Sequence, residues 1–260
     1  MRQAQQAPKM MGWLDHIAEL RRRLIWTAAT FLVGAIVAFC YSPAIVEFLT
    51  APAKSTLVFT RPGEAFAVHF QVAMVTSLVA NVPVALYHLL AFVFPGLTRS
   101  ERKVVLLALG PALVLFAAGV TFSYLVVVPL VYRFFMGYAG PTLQPMVSVG
   151  AYVSFVAGVV VPFGLVFELP VVVGVLSALG LVHPRVLRRA RKYAILAIAV
   201  LGALMSPGTD PFSQLLMALP LVFLYELSIG FSAMVWAAKR RAAARRSAAE
   251  TAAGAAEQPG

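Results

Sequence analysis

The chain has 260 residues, 61% of them hydrophobic and only 12% charged, with a mean hydropathy of +0.86; ordinary soluble domains carry roughly 25% charged residues, so that class is excluded and an integral membrane protein is indicated. The net charge of +11 is explained by membrane topology and contact with anionic lipid, and requires no nucleic-acid partner. A lone cysteine, Cys40, sits in an apolar run and leaves neither a disulfide framework nor a cysteine cluster for a metal.

A helix needs about 20 apolar residues to cross a hydrocarbon core of about 30 Å. Six runs are candidates: 24–41, 66–94, 104–132, 151–182, 193–205 and 212–238. The residues before Trp13 are polar, with no early apolar core followed by a cleavage site, so the first run is expected to remain as an anchor. The loop 42–65 carries Pro43, Pro52 and Pro62 among apolar "AIVEFLTA" and "STLVF", and reads as a partly ordered cap near the outer surface. Bends are expected at Pro83, Pro111, Pro129, Pro162 and Pro170, each of which removes an intrahelical donor. The fifth run reaches only about 20 Å before "SPGTDP" breaks it, and the sixth is apolar from Leu215 to Tyr225 before it meets Glu226. This short hairpin is either a functional surface or is lengthened by flanking residues that reach the headgroups. No internal repeat is visible, and no two glycines stand four apart.

Basic residues set the orientation. The segments around Arg21–Arg23, Arg99–Lys103, Arg185–Lys192 and Lys239–Arg246 hold most of them, while Lys54, Arg61 and Arg133 fall on the opposite side. The expected architecture is an all-α integral membrane protein of six transmembrane helices with both termini cytoplasmic. Residues 1–23 form an N-terminal arm, 24–238 the membrane domain, and 239–260 an Ala-rich tail expected to fray into disorder.

Acidic residues are scarce, so their positions are informative. Glu168 lies near the middle of the fourth run, where an ionised acid costs about 3 kcal/mol to insert. It must face the protein interior or a wet cavity, or sit protonated against a hydroxyl or a carbonyl freed by a proline. Glu19 and Glu101 fall at the cytoplasmic face within "HIAELRRRL" and "FPGLTRSER". Either they balance neighbouring arginines, a weak exposed arrangement, or they form an acidic site for a cationic ligand, since a carboxylate takes a guanidinium through two parallel hydrogen bonds. Asp210 has a sufficient reason as the N-cap of the last helix, and Glu226 either meets the basic stretch Arg185–Lys192 or has a functional role. The four histidines show no metal-ligand spacing, and there is no GxSxG, Walker loop or HExxH. The chain is read as a non-enzyme with no cofactor and no metal.

Four segments in order resemble the TatC family, the polytopic subunit of the twin-arginine protein translocase. They are "HIAELRRRL", "AFVFPGLTRSERK" (Ala91–Lys103), "FELP" (Phe167–Pro170) and "SPGTDPFSQ" (Ser206–Gln214). The resemblance implies a kinked, concave bundle in the cytoplasmic (inner) membrane. It implies a receptor for twin-arginine signal peptides of folded cargo, with Glu19 and Glu101 receiving the two arginines and Arg21, Arg23, Phe92, Pro95 and Leu97 shaping the site. It further implies single-span TatA-type and TatB-type partners that meet Glu168, Ser206 and Gln214, a homo-oligomeric receptor complex, and export driven by the proton-motive force. The competing reading is a proton-coupled secondary transporter with Glu168 as proton carrier, against which stands the lack of a repeated pair of interrupted helices.

Overall fold

A computed structural model describes residues 13–53, 56–140, 144–206 and 210–256. Within them nearly everything is helical: α1 (Trp13–Cys40), α2 (Ser42–Thr50), α3 (Glu64–Val93), α4 (Arg99–Phe122), α5 (Val128–Met136), α6 (Val149–Phe167), α7 (Leu169–Leu179), α8 (Pro184–Met205) and α9 (Pro211–Ala256). Extended structure among the described residues is confined to isolated bridging, including a parallel bridge between Val58 and Ser148. An all-helical chain is what hydrocarbon demands, because a helix satisfies its own backbone polar groups.

Among the described residues, five helical stretches are long and apolar enough to cross a membrane: Asp15–Cys40, Glu64–Gly96, Glu101–Met136, Val149–Leu179 and Pro211–Arg245. The fifth of the six sequence runs lies in α8, which starts at Pro184 and so includes the cations Arg185 to Lys192. Both helices of the last hairpin extend beyond their apolar runs. α9 stays helical to Ala256, well past residue 239 where the tail was expected to begin. Residues 1–12, with Arg2 and Lys9, lie outside the described residues, as do Pro207–Thr209 of the outer turn and 257–260 of the tail.

The prolines act unequally. Pro83, Pro111 and Pro162 lie within helices that continue through them, whereas the third run passes through a π-helical turn, Ser123–Val127, just before Pro129. The fourth run breaks at Glu168, the N-cap of α7, because Pro170 in the first turn has no N–H to continue the ladder. α7 then ends at Gly180, whose φ of +86° suits a residue without Cβ and lets the N–H of Leu181 reach the carbonyl of Leu176 at 2.9 Å.

Two compact units emerge. The first, Met1–Leu109 with Val147–Val153, packs α1 on α3. Its core holds Val68, Val72, Val149 and Val153, with Ile45, Val46, Leu49 and Leu57 of the 42–65 loop laid against them. That loop is therefore a packed cap, with Lys54 and Ser55 outside the described residues. Glu64 ties it down: Oε2 accepts from the N–H and hydroxyl of Thr60 at 2.6 and 2.8 Å, and Oε1 from the N–H of Gly150 at 2.8 Å. Deep in the α1–α3 contact, the hydroxyl of Thr30 donates to Asn81 Oδ1 at 2.8 Å, Asn81 Nδ2 to the Thr27 carbonyl at 3.0 Å, and Ser77 to the Phe31 carbonyl at 2.6 Å.

The second unit, Gly110–Met146 with Ser154–Gly260, buries Val128, Val159, Phe163, Met217 and Leu221. Small residues let its helices approach. Ser177 and Ser232 share a hydrogen bond of 2.7 Å between α7 and α9, and Gly202 of α8 lies so close to α9 that a Cβ there would stand 3.1 Å from the carbonyl oxygen of Gln214.

Candidate functional site

The first group of candidate residues sits where α1 begins, α3 ends and α4 begins, all in the first unit. The His16 and Phe92 rings stack at 4.2 Å with an interplanar angle of 18°, joining the start of α1 to the end of α3. One turn on, Glu19 Oε1 accepts from the guanidinium of Arg23, with Nε at 3.0 Å and Nη2 closer still. The second oxygen, Oε2, is buried without a hydrogen-bond partner. An open cleft of about 590 Å³ runs along this end of α1, lined by Asp15, Glu19, Arg21, Arg22 and Trp26 among others. Arg21 itself is exposed.

After α3 the chain makes a 3₁₀ turn, Phe94–Gly96, whose Pro95 is exposed. Leu97 leaves it in an extended conformation, half-buried, its N–H donating to the Phe94 carbonyl at 3.1 Å. Glu101 occupies the first turn of α4 and its Oε2 accepts from the Thr98 N–H at 2.8 Å and the Thr98 hydroxyl at 2.7 Å. With Thr98 at the cap and Glu101 three residues on, "TRSE" is a capping box. Arg102 rests over the Phe94 ring, its guanidinium carbon 4.7 Å from the centroid. Both glutamates therefore have a local role inside the protein: Glu19 pairs with Arg23, and Glu101 closes the end of a helix.

The second group lies in the second unit. Glu168 is 7% exposed, and its Oε1 is buried without a partner. Gln214 donates from Nε2 to the Ala199 carbonyl at 2.9 Å, locking the start of α9 to α8. Ser206 ends α8 in an extended conformation, its hydroxyl buried and unpartnered. Asp210 caps α9 as its position implied, Oδ2 accepting from the Ser213 N–H at 2.7 Å. Glu226 meets Arg191 at 2.7 Å, inside the basic stretch Arg185–Lys192. Among the described residues no cluster of histidine, cysteine or acid is placed to hold a metal ion.

A family model described as Sec-independent protein translocase protein (TatC) matches residues 15–220, a span that includes all four sequence segments quoted above. The chain belongs to the TatC family. A TatC protein of Carboxydothermus hydrogenoformans is 38% identical over 85% of this chain and 92% of its own length. TatCd of Bacillus subtilis is 35% identical, covering 88% and 94%, and the chloroplastic TATC of Pisum sativum is 37% identical, covering 84% and 62%. A crystal structure of the twin arginine translocase receptor TatC has a TM-score of 0.77 at 35% identity, covering 85% of this chain and 99% of that one. As a TatC-family member, the protein is a membrane-embedded transport subunit of a Sec-independent protein translocase.

Three residues that position these sites escaped the sequence reading. Thr98 was signalled by the T-x-x-E spacing in front of an apolar helix. Ser213, 1% exposed with an unpartnered hydroxyl, carried no signal beyond standing three residues after Asp210. Glu64 gave none, because its partner Gly150 is 86 residues away.

Proposed function

We propose that this chain is the receptor and scaffold subunit of a twin-arginine translocase: six spans in the cytoplasmic membrane, both termini inside, taking signal peptides of folded proteins at the cytoplasmic face. The positively charged segments support that orientation. The observation that carries the recognition reading is Glu19, which keeps one buried carboxylate oxygen without a partner beside the His16–Phe92 stack. An incoming guanidinium supplies the donors that oxygen lacks, and a bidentate pair distinguishes arginine from lysine. Glu101 receives the second arginine in this reading, while Arg21, Arg23, Phe92, Pro95 and Leu97 shape the surroundings.

Glu168, Ser206 and Gln214 form the partner-facing part. A buried carboxyl with an unpartnered oxygen, and a buried unpartnered hydroxyl on Ser206, suit polar groups on the single transmembrane helices of TatA-type and TatB-type subunits. Such interhelical hydrogen bonds contribute about 1 kcal/mol each. Several copies of the chain assemble into the receptor complex, and transport draws on the proton-motive force.

Binding of a labelled signal peptide to the detergent-purified protein tests the recognition reading. Arg-Arg peptide binds more tightly than Lys-Lys to wild type, and Glu19→Gln with Glu101→Gln removes the preference. A peptide indifferent to both changes overturns it, and proton flux through Glu168, as in a secondary transporter, is then the quantity to measure.

A further inference from the structure

α8 is divided along its length. Arg185, Arg188 and Arg189, spaced by three and four residues, share one helical face with Lys192, and all are exposed. The opposite face is the one packed on α9, with Ile198, Gly202 and Met205 buried. Farther along, the outward face turns apolar, with Leu196 63% and Val200 53% exposed. One continuous face thus carries cations for its first two turns and hydrocarbon-facing side chains after them.

Contacts with α9 hold the basic end in place. The Tyr225 hydroxyl donates to the Leu187 carbonyl at 2.7 Å, and Trp236 Nε1 to the Val182 carbonyl at 2.8 Å. Arg191, on the inner side, is neutralised by Glu226. Among the described residues no carboxylate forms an ion pair with Arg185, Arg188 or Arg189, so three guanidinium groups within two turns repel one another. The apolar part of α8 spans only about 20 Å, less than the hydrocarbon core. The bilayer must thin there, or the flanking cations must be drawn toward the headgroup phosphates.

We propose that the face of α8 turned away from α9 binds an anionic phospholipid, its phosphate held by Arg185, Arg188 and Arg189 and its acyl chains lying along Leu196 and Val200. The charge complementarity and the change from cationic to apolar along one face match the two ends of a lipid. A soluble phosphate compound uses only the first, and an acidic protein has no use for the second. Because α9 already fixes the backbone that carries these arginines, binding has only their side chains to order. The site lies at the cytoplasmic end of the hairpin, away from Ser206 and Gln214, and does not depend on the recognition reading.

Native mass spectrometry of the full chain in detergent, titrated with phosphatidylglycerol or phosphatidylcholine of the same chain length, tests it. Wild type retains phosphatidylglycerol about tenfold more tightly, about 1.4 kcal/mol. R185Q/R188Q/R189Q brings the two lipids level, and R240Q/R241Q/R245Q, which removes as much charge from the far end of α9, leaves the preference within about twofold. If the triple variant does not fold, R188Q and R189Q singly decide the matter, each weakening phosphatidylglycerol by at least about threefold. Equal loss in the α8 and α9 variants overturns the site in favour of diffuse charge attraction. Displacement of the lipid by millimolar inorganic phosphate overturns it in favour of a phosphate site, and a wild type without preference overturns it outright.

Discussion

The ring of Phe167 occupies the space left open by Gly119: a Cβ on the glycine would stand 2.6 Å from the phenylalanine Cγ. The relation is reciprocal, since a Cβ on Gly164 would stand 2.7 Å from Cε2 of Phe116. α4 and α6 therefore interlock glycine to ring at two levels, without the glycine pair four apart that close helix crossings usually use. Phe167 directly precedes Glu168, so this contact also sets where the buried carboxyl sits. Gly119→Ala is expected to destabilise the protein by about 1–3 kcal/mol through overpacking, read as a lower midpoint in thermal unfolding in detergent. An unchanged midpoint means that the Phe167 ring can turn aside at no cost.

Thr98 and Glu101 permit a separation of folding from recognition. Glutamine can replace glutamate in a capping box, so Glu101→Gln removes the charge and keeps the helix end, whereas Thr98→Ala removes the cap and keeps the charge. Thr98→Ala is expected to cost about 1 kcal/mol and to leave the Arg-Arg over Lys-Lys preference intact. Glu101→Gln should do the reverse. Loss of the preference in Thr98→Ala would mean that Glu101 serves the helix first and recognition only through it.

Much of this architecture was legible because hydrocarbon leaves few choices: a long apolar run becomes a helix, and scarce charges mark its ends. Asp210 as a cap followed from position, and the Glu226 contact with the basic stretch is one of the two readings its position allowed. The start of α8 did not. An apolar window closes at Lys192, but arginine and alanine are good helix formers, and the helix begins at Pro184, where the His183 side chain accepts from the Arg185 N–H at 3.1 Å. The π turn at Ser123–Val127 was equally silent, since a missing proline donor can be absorbed by a bend, a break or a shifted ladder. At the cytoplasmic face the sequence offered Glu19 and Glu101 as a pair. The structure gives each a separate local partner: Arg23, one of the neighbouring arginines that the first of the two readings allowed, for Glu19, and Thr98, which the T-x-x-E spacing signalled, for Glu101.

Asn81 is 9% exposed in the middle of α3 and joins α1 through both ends of its amide, accepting from Thr30 and donating to the Thr27 carbonyl. Asn81→Ala is expected to cost about 1 kcal/mol, measured by titration with a denaturing detergent. Thr30→Ala should cost less, because Asn81 keeps its bond to the Thr27 carbonyl and the single hydroxyl proton of Thr30 is shared between Asn81 and the carbonyls of Trp26 and Thr27 at 3.1 and 2.9 Å. A double-mutant cycle isolates the link between the two side chains, expected at about 0.6 kcal/mol. A coupling of zero would leave the Asn81–Thr27 and Ser77–Phe31 hydrogen bonds and the shape fit of Gly34 against Ser77 as what joins these helices.

Glu64 accepts three donors, two from Thr60 and one from the first turn of α6. Beside it the chain pairs through Val58, whose N–H donates to the Val147 carbonyl at 3.1 Å and whose carbonyl accepts from the Val149 N–H at 3.0 Å. Glu64→Ala removes the carboxylate that fixes the loop against α6, so the Val58 and Val149 amides should exchange with deuterium about tenfold faster. Amides deep in α3, such as that of Val72, should not change, because their helix is held by the α1 contact. Glu64→Gln keeps an acceptor oxygen for one side but meets the other with an NH₂ group, a second donor facing a donor, and should fall between wild type and alanine. If exchange at Val58 is unaltered in the alanine variant, the packing of Ile45, Val46, Leu49 and Leu57 on the valine core holds the cap without help from the carboxylate.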